Sequence, residues 1–153
     1  MKYWLMKCEP SVYSIDHLKN DGFSVWEGVR NYQARNFMRD EMKVGDLALF
    51  YHSNATPSGV AGICRVCKEA IPDYTAWDPK SQYFDARASV EKPIWMMVEV
   101  EFVEKFPRFV PLPEIRKTAG LDDMELLKTG SRLSIQPVTH KHFEIIKKLG
   151  HKT

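Results

Sequence analysis

Long hydrophobic runs are missing from this chain: none approaches the roughly 18 residues that a membrane-spanning helix requires. The opening Met1-Lys2-Tyr3-Trp4-Leu5-Met6-Lys7 is too short and too soon broken for a secretory leader. A strong excess of charge of one sign is also missing. The chain carries 22 basic against 20 acidic residues, a formal charge of +2. It therefore cannot hold a polyanion by bulk charge, and any nucleic-acid binding needs a specific site with a local basic rim. Cysteine is scarce, three residues in all. An odd number without export signals implies reduced thiols in the cytoplasm, or in the nucleus of a eukaryotic host. No membrane partner is expected, and nothing sets the oligomeric state, for which a monomer is the simplest reading.

Catalytic signatures are missing too. There is no phosphate-binding glycine loop, no dinucleotide fingerprint and no nucleophile elbow. Cys64 and Cys67 form a C-x-x-C, but in a strand two residues three apart face opposite ways, so neither a redox disulfide nor half a zinc site results. His140 and His142 open a helix and diverge, and His52 beside Ser53 is no catalytic pair, since strand neighbours alternate faces. No cofactor and no metal site are expected.

What is present suits a globular domain of 153 residues, with 44% apolar and 27% charged residues, enough to bury a core unaided. One domain over residues 1–150 is the reading. "KYWLMK" reads as a buried strand ended by Glu9-Pro10. Ser14 can cap a short helix through Leu18, with Asp16 in its first turn. Ala34, Phe37, Met38 and Met42 mark a helix between about Arg30 and Met42. "DLALFYHS" alternates as a strand, with Leu47, Leu49 and Tyr51 on one face and Ala48 and Phe50 on the other. Beyond the loop "NATPSG", "VAGICRVCKEA" returns as the second arm of a hairpin. Residues 71–92 show no pattern. "MMVEVEFVEKF" places Val98, Val100 and Phe102 on one face and Glu99 and Glu101 on a wet one. Two short helices follow within "LPEIRKTAGLDDMELLK", where Asp122 and Glu125 have capping spacing. "RLSIQPV" is a last strand, and Thr139 caps a final helix with Phe143, Ile146 and Leu149 inward. Without a repeating βα unit, the class is α+β: a strongly bent or barrel-like sheet with helices around it.

Three places combine aromatic rings with hydrogen-bonding groups at strand ends, where a scaffold presents a site. They are Trp26 with Arg30, Asn31 and Tyr32; Tyr51, Ser53, Asn54 and Pro57; and Tyr74, Trp77, Tyr83 and Phe84. A nucleobase outside its helix needs a stacking surface and donors and acceptors at its edge. Taken singly, Trp26 reads as core, Asn31 as a helix cap, and Arg30 and Arg35 as a solvated face. Trp77 reads as a loop pin as readily as a wall. It is the clustering in "SVWEGVRNYQARN" that raises a pocket.

Read in order, "YWLMKCEPSVYSIDHL", "WEGVRNYQARNFMRDEMKVGDLALFYHSN", "GVAGICRV", "YTAWDPKSQYFD" and "LLKTGSRLSIQPVT" resemble the EVE domain across nearly the whole chain. The resemblance implies a PUA-like fold, a small bent mixed β-barrel with short peripheral helices. It implies a non-catalytic partner of DNA with modified bases, 5-methylcytosine and its hydroxymethyl form foremost. The related YTH domain, which holds N6-methyladenine of RNA in an aromatic cage, lends its pattern residue by residue. Lys7-Cys8 stands where YTH has Lys-Ser, Trp26 resembles the first cage tryptophan, Ser53 and Asn54 end a similar strand, and Trp77 resembles the later cage tryptophan. Cys8 departs from the YTH serine and loses a hydroxyl contact, which weakens a methyladenine preference. On this reading Trp26 is a pocket wall, Asn31 and Tyr32 stand beside it, and Gly28 lets backbone approach the ligand. Arg30, Lys7 and Lys80 supply phosphate contacts. The alternatives are an RNA reader of YTH type, an enzyme on modified nucleic acid using Glu9 or Glu27, and a peptide-binding module.

Overall fold

The computed structural model describes residues 1–152. Six strands form one mixed sheet in the order β2-β5-β4-β3-β1-β6. They are β1 (Tyr3–Cys8), β2 (Phe23–Val25), β3 (Leu47–His52), β4 (Gly59–Pro72), β5 (Met96–Pro111) and β6 (Ile135–Val138). The helices are α1 (Ile15–Asp21), α2 (Tyr32–Asp40), α3 (Leu112–Lys117) and α4 (His140–Gly150). β1 and β3 run parallel, so the chain between them must cross over, and α1, β2 and α2 make that crossing. All other neighbours are antiparallel. The sheet is open: among the described residues no pairing joins β2 to β6, so the expected barrel is not closed by hydrogen bonds. Curvature comes instead from register shifts, one in β3–β4 and four in β4–β5, each of which bends and twists its strand.

Strand alternation divides the core in two. Trp4, Met6, Ala48 and Phe50 pack under α1 and α2 with Ile15, Leu18, Ala34 and Met38. Leu5, Leu49 and Tyr51 pack on the other face with Ile115 of α3 and Phe143 and Ile146 of α4. The two faces of β3 divide as its sequence predicts. A third cluster of Ala76, Ala88 and Trp95 lies beneath the long 73–95 segment.

The helix starts carry the expected caps. Ser14, Asn31 and Thr139 accept from the backbone N–H of His17, Ala34 and His142. α1 runs on to Asp21. Asp122 caps nothing: the 3-10 turn Glu125–Leu127 begins after Met124 with no side-chain cap. The patternless 71–92 stretch holds a 3-10 turn, Tyr74–Trp77, capped by Asp73. β5 runs beyond its alternating stretch to Pro111. Its partners jump from Lys105 to Val110 while β4 moves only from Gly62 to Val60, so Pro107 sits where no ladder bond is needed. Cys64 is fully buried under α1 and α2, whereas Cys67 Sγ lies 3.5 Å from Glu99 on the wet face. The two sulfurs diverge and both thiols are free. Burial pushes the Cys64 thiol up to about 12. His142 turns inward to Asp123 at 2.7 Å, and His140 turns out to stack on Tyr3.

Candidate nucleic-acid interface

A cleft of about 280 Å³ opens where the ends of β1 and β2 meet two loops. Lys7, Cys8 and Ser134 line it, with the Lys7 N–H donating to the Ser134 carbonyl at 2.8 Å. One wall is the run from Ser24 to Arg30; Val12 and Tyr13 ahead of α1, and Gln82 and Tyr83 of the long loop, supply the others.

Trp26 is both core and wall. Only 7% of it is exposed, its ring meets Phe50 edge-on at 5.5 Å, and its N–H donates to the Val98 carbonyl at 2.7 Å. The exposed remainder lines the cleft. Among the described residues no side chain or carbonyl accepts from its indole Nε1–H, unlike Trp4 and Trp95, which donate to Asp46 and Asp85.

The run beyond Trp26 is fixed by partners far along the chain. Asp73 is fully buried. It accepts from the Gly28 N–H at 2.9 Å, from Arg30 Nη1 at 3.0 Å, and from Thr75 N–H and hydroxyl. Arg30 also donates twice to the Tyr83 carbonyl, at 2.7 and 3.0 Å, once to the Val29 carbonyl and once to Thr75 Oγ1. All five of its donors are thus engaged within the protein, and its guanidinium lies 5.7 Å from the centroid of the Tyr83 ring and 5.4 Å from that of Trp95. Arg30, expected to contact phosphate, is bound here as a clamp on the long loop. Gly28 lines the cleft with the Tyr83 ring against it. It has φ +84°, and a Cβ there would stand 2.7 Å from the Tyr83 ring. What approaches its backbone is a wall of the cleft.

Of the ten expected site residues, Lys7, Cys8, Trp26, Gly28 and Arg30 line the cleft. Lys7 does so with its ammonium 5.7 Å from the Tyr51 ring centroid, on the side of β1 away from Cys8. Burial draws its pKa down against the pull of Glu125. Burial raises the Cys8 thiol, with the charge of Glu9 adding to it. The other five lie outside. Asn31 is the α2 cap. Tyr32 stacks on Trp95 at 4.8 Å, with Arg35 over it and Arg87 on its hydroxyl. Trp77 packs on the third cluster and pins the loop. Ser53 and Asn54 brace the β1 end from behind, through the Ser53 N–H to the Cys8 carbonyl and Asn54 Nδ2 to Glu9 Oε1.

Tyr13, Glu27, Gln82 and Tyr83 are lining residues that the site assignment from sequence leaves out. Tyr83 stands in an aromatic group, but nothing local separates it from Phe84 and Tyr74, which are exposed. The Tyr13 hydroxyl is pushed up to about 12, by burial and by donating to Asp21 at 2.8 Å. The Glu27 carboxyl is raised by burial and then by the Asp73 carboxylate. Burial raises the Tyr83 hydroxyl, and the charges of Cys8 and Glu27 add to it.

Residues 2–149 match the family model of the EVE domain. The chain belongs to the EVE domain family. Human thymocyte nuclear protein 1 is 40% identical to it, over 98% of this chain and 74% of the relative. Among solved EVE-like structures, a Pseudomonas putida protein superposes with TM-score 0.93 at 48% identity, covering 97% of this chain and 99% of its own. Human thymocyte nuclear protein 1, solved in complex with DNA containing 5-methylcytosine, superposes with TM-score 0.90 at 41% identity, covering 100% and 99%. No helix among the described residues of this EVE domain is long and apolar enough to cross a membrane.

Proposed function

We propose that this EVE domain, residues 1–150 acting as one unit, binds DNA and holds a modified cytosine, turned out of the stack, in the cleft walled by Trp26. The observation that carries the reading is a tryptophan that lines a cleft while Phe50 and the Val98 carbonyl hold it in place. The family relative that was solved with 5-methylcytosine DNA names the ligand class. The cleft volume, about 280 Å³, is just below the roughly 300–1,000 Å³ of ordinary ligand pockets, which suits one base. A bent, PUA-like character of the sheet belongs to the same reading.

Turning out the base costs a few kcal/mol. Stacking on an aromatic wall returns about 1–3 kcal/mol, so edge and phosphate contacts must supply the balance. A buried methyl adds on the order of 1 kcal/mol, a preference of about fivefold. The reading is of binding without turnover. Glu27 is the one carboxylate in the lining, and His52, whose Nε2 accepts from the Ile15 N–H at 3.1 Å, lies outside it, so neither a carboxylate pair nor a carboxylate–histidine pair converges on the cleft.

The test is a fluorescence titration at fixed low salt, with matched oligonucleotides carrying cytosine, 5-methylcytosine, 5-hydroxymethylcytosine, adenine or N6-methyladenine. Quenching selective for a modified cytosine, lost in a folded Trp26→Ala, is expected. Equal responses that vanish together as salt rises, or a preference that survives Trp26→Ala, refute the reading.

A further inference from the structure

Thymine poses a problem for any cleft that selects 5-methylcytosine. Both bases carry a methyl at the 5-position, so a methyl contact cannot separate them. They differ at the 4-position, where cytosine has an amino donor and thymine a carbonyl acceptor. DNA offers thymine in excess; the two bases also differ at N3, an acceptor in cytosine and a donor in thymine, and at the 4-position selection takes a group that accepts and cannot donate. Most polar side chains in the lining do not qualify. Ser24, Ser134 and the tyrosine hydroxyls rotate, and the Gln82 amide flips, so each can meet either base. A carboxylate is acceptor-only when ionised. The cleft contains one, Glu27, next to Trp26 in the chain.

Glu27 is otherwise hard to account for. Its carboxylate makes no hydrogen bond or ion pair with any other side chain among the described residues, whereas Asp73, Asp85 and Asp46 are each held by several donors. The residue as a whole is exposed while its carboxyl is partly desolvated among the lining groups, and Tyr83 feels its charge. Glu27 accepts only from its own backbone N–H, and a negative charge without a cationic partner in a polyanion site weakens binding, unless the ligand itself brings a donor.

Resting on the base-holding reading above, we infer that Glu27 reads the 4-position of the held base, accepting the cytosine N4 amino hydrogen and repelling the thymine O4. It is a specificity-determining residue, and selection is shared between two contacts. The methyl contact separates 5-methylcytosine from cytosine, and the carboxylate separates it from thymine.

The test compares 5-methylcytosine, cytosine and thymine at one position of a duplex, each opposite an abasic site so that no base pair must be broken. Wild-type protein is expected to favour 5-methylcytosine over thymine by roughly 5- to 150-fold, the range of a good base-edge contact. In Glu27→Gln the amide can turn its donor to O4, and the ratio should fall towards one, chiefly through tighter thymine binding. Glu27→Ala should also collapse the ratio. Glu27→Gln keeps the shape of the side chain, so its ratio decides should the alanine variant lose binding altogether. A wild-type ratio retained in Glu27→Gln overturns the inference. Wild-type protein that prefers 5-methylcytosine to cytosine but not to thymine overturns the inference alone. Wild-type protein that separates none of the three overturns the cleft reading with it.

Discussion

Replacing Arg30 by lysine separates two physical roles that a basic residue at a DNA site can have. If Arg30 touched phosphate, Arg30→Lys would keep the charge and cost little. The structure gives it another role: five donors hold Asp73, Thr75, Val29 and the Tyr83 carbonyl. Lysine can keep one contact to Asp73 but cannot reproduce the planar fork. Asp73 retains its bonds from the Gly28 N–H and from Thr75, so it is not left as a bare buried charge. The loss is chiefly the paired contact to Tyr83 and the one to Thr75, together about 2–3 kcal/mol. For a domain of this size that lowers Tm by about 5–10 °C. The Tyr83 wall loosens, so preference for modified DNA should fall. The dependence of affinity on salt should not change, because no phosphate contact has been removed. Thermal unfolding, together with binding measured across a salt series, checks both. Unchanged Tm together with undiminished preference for modified DNA, the outcome expected if only the charge of Arg30 mattered, would refute the clamp.

Two further predictions concern the walls and their support. Gly28→Ala places a Cβ 2.7 Å from the Tyr83 ring at φ +84° and should destabilise by about 1–3 kcal/mol. Part of that cost should vanish in Gly28→Ala with Tyr83→Ala, and strict additivity in the double-mutant cycle would show that the ring is not the obstacle. His52 caps α1 by accepting from Ile15, with the Phe50 and Phe109 rings and the Asp16–Lys105 pair around it. Burial lowers its pKa below the ordinary 6.5, against the pull of Asp16 and with the push of Lys105. A depressed folded pKa means that the unfolded chain takes the proton first, so stability should fall as pH drops below about 6.5. A Tm–pH profile of His52→Gln as steep as the wild type over that range would count against the cap.

Much of the fold is legible because its causes are local. Alternation alone divides β3 between two cores, and Ser14, Asn31 and Thr139 announce helix starts that the backbone uses. The elements that escape have causes elsewhere. β5 extends past its alternating stretch because β4 supplies partners out to Gly59, and the intervening bulge absorbs Pro107. Asp122 has the spacing of a cap but no helix start to serve, since the turn opens at Met124. Barrel closure is likewise a property of strand ends meeting, which no single strand encodes, and here β2 and β6 stay apart.

The site divides along the same line. Asn31 and Trp77 follow their plain local readings, a cap and a loop pin. Arg30, Gly28 and Tyr83 acquire their roles only through Asp73, more than forty residues beyond Arg30. Trp26 shows why the two readings of a residue need not compete. A stacking wall must not move when a base arrives, because every softening of the wall is freedom lost on binding. Burial against Phe50 and the bond to Val98 supply that stiffness. Tyr13 and Tyr83 are less buried and sit on loops. On the proposed reading the sheet therefore fixes where the base stacks, while the loops and Glu27 fix which base it is. Substitutions at Tyr83 or Glu27 should change preference among bases more than total affinity, and substitutions at Trp26 should remove both together.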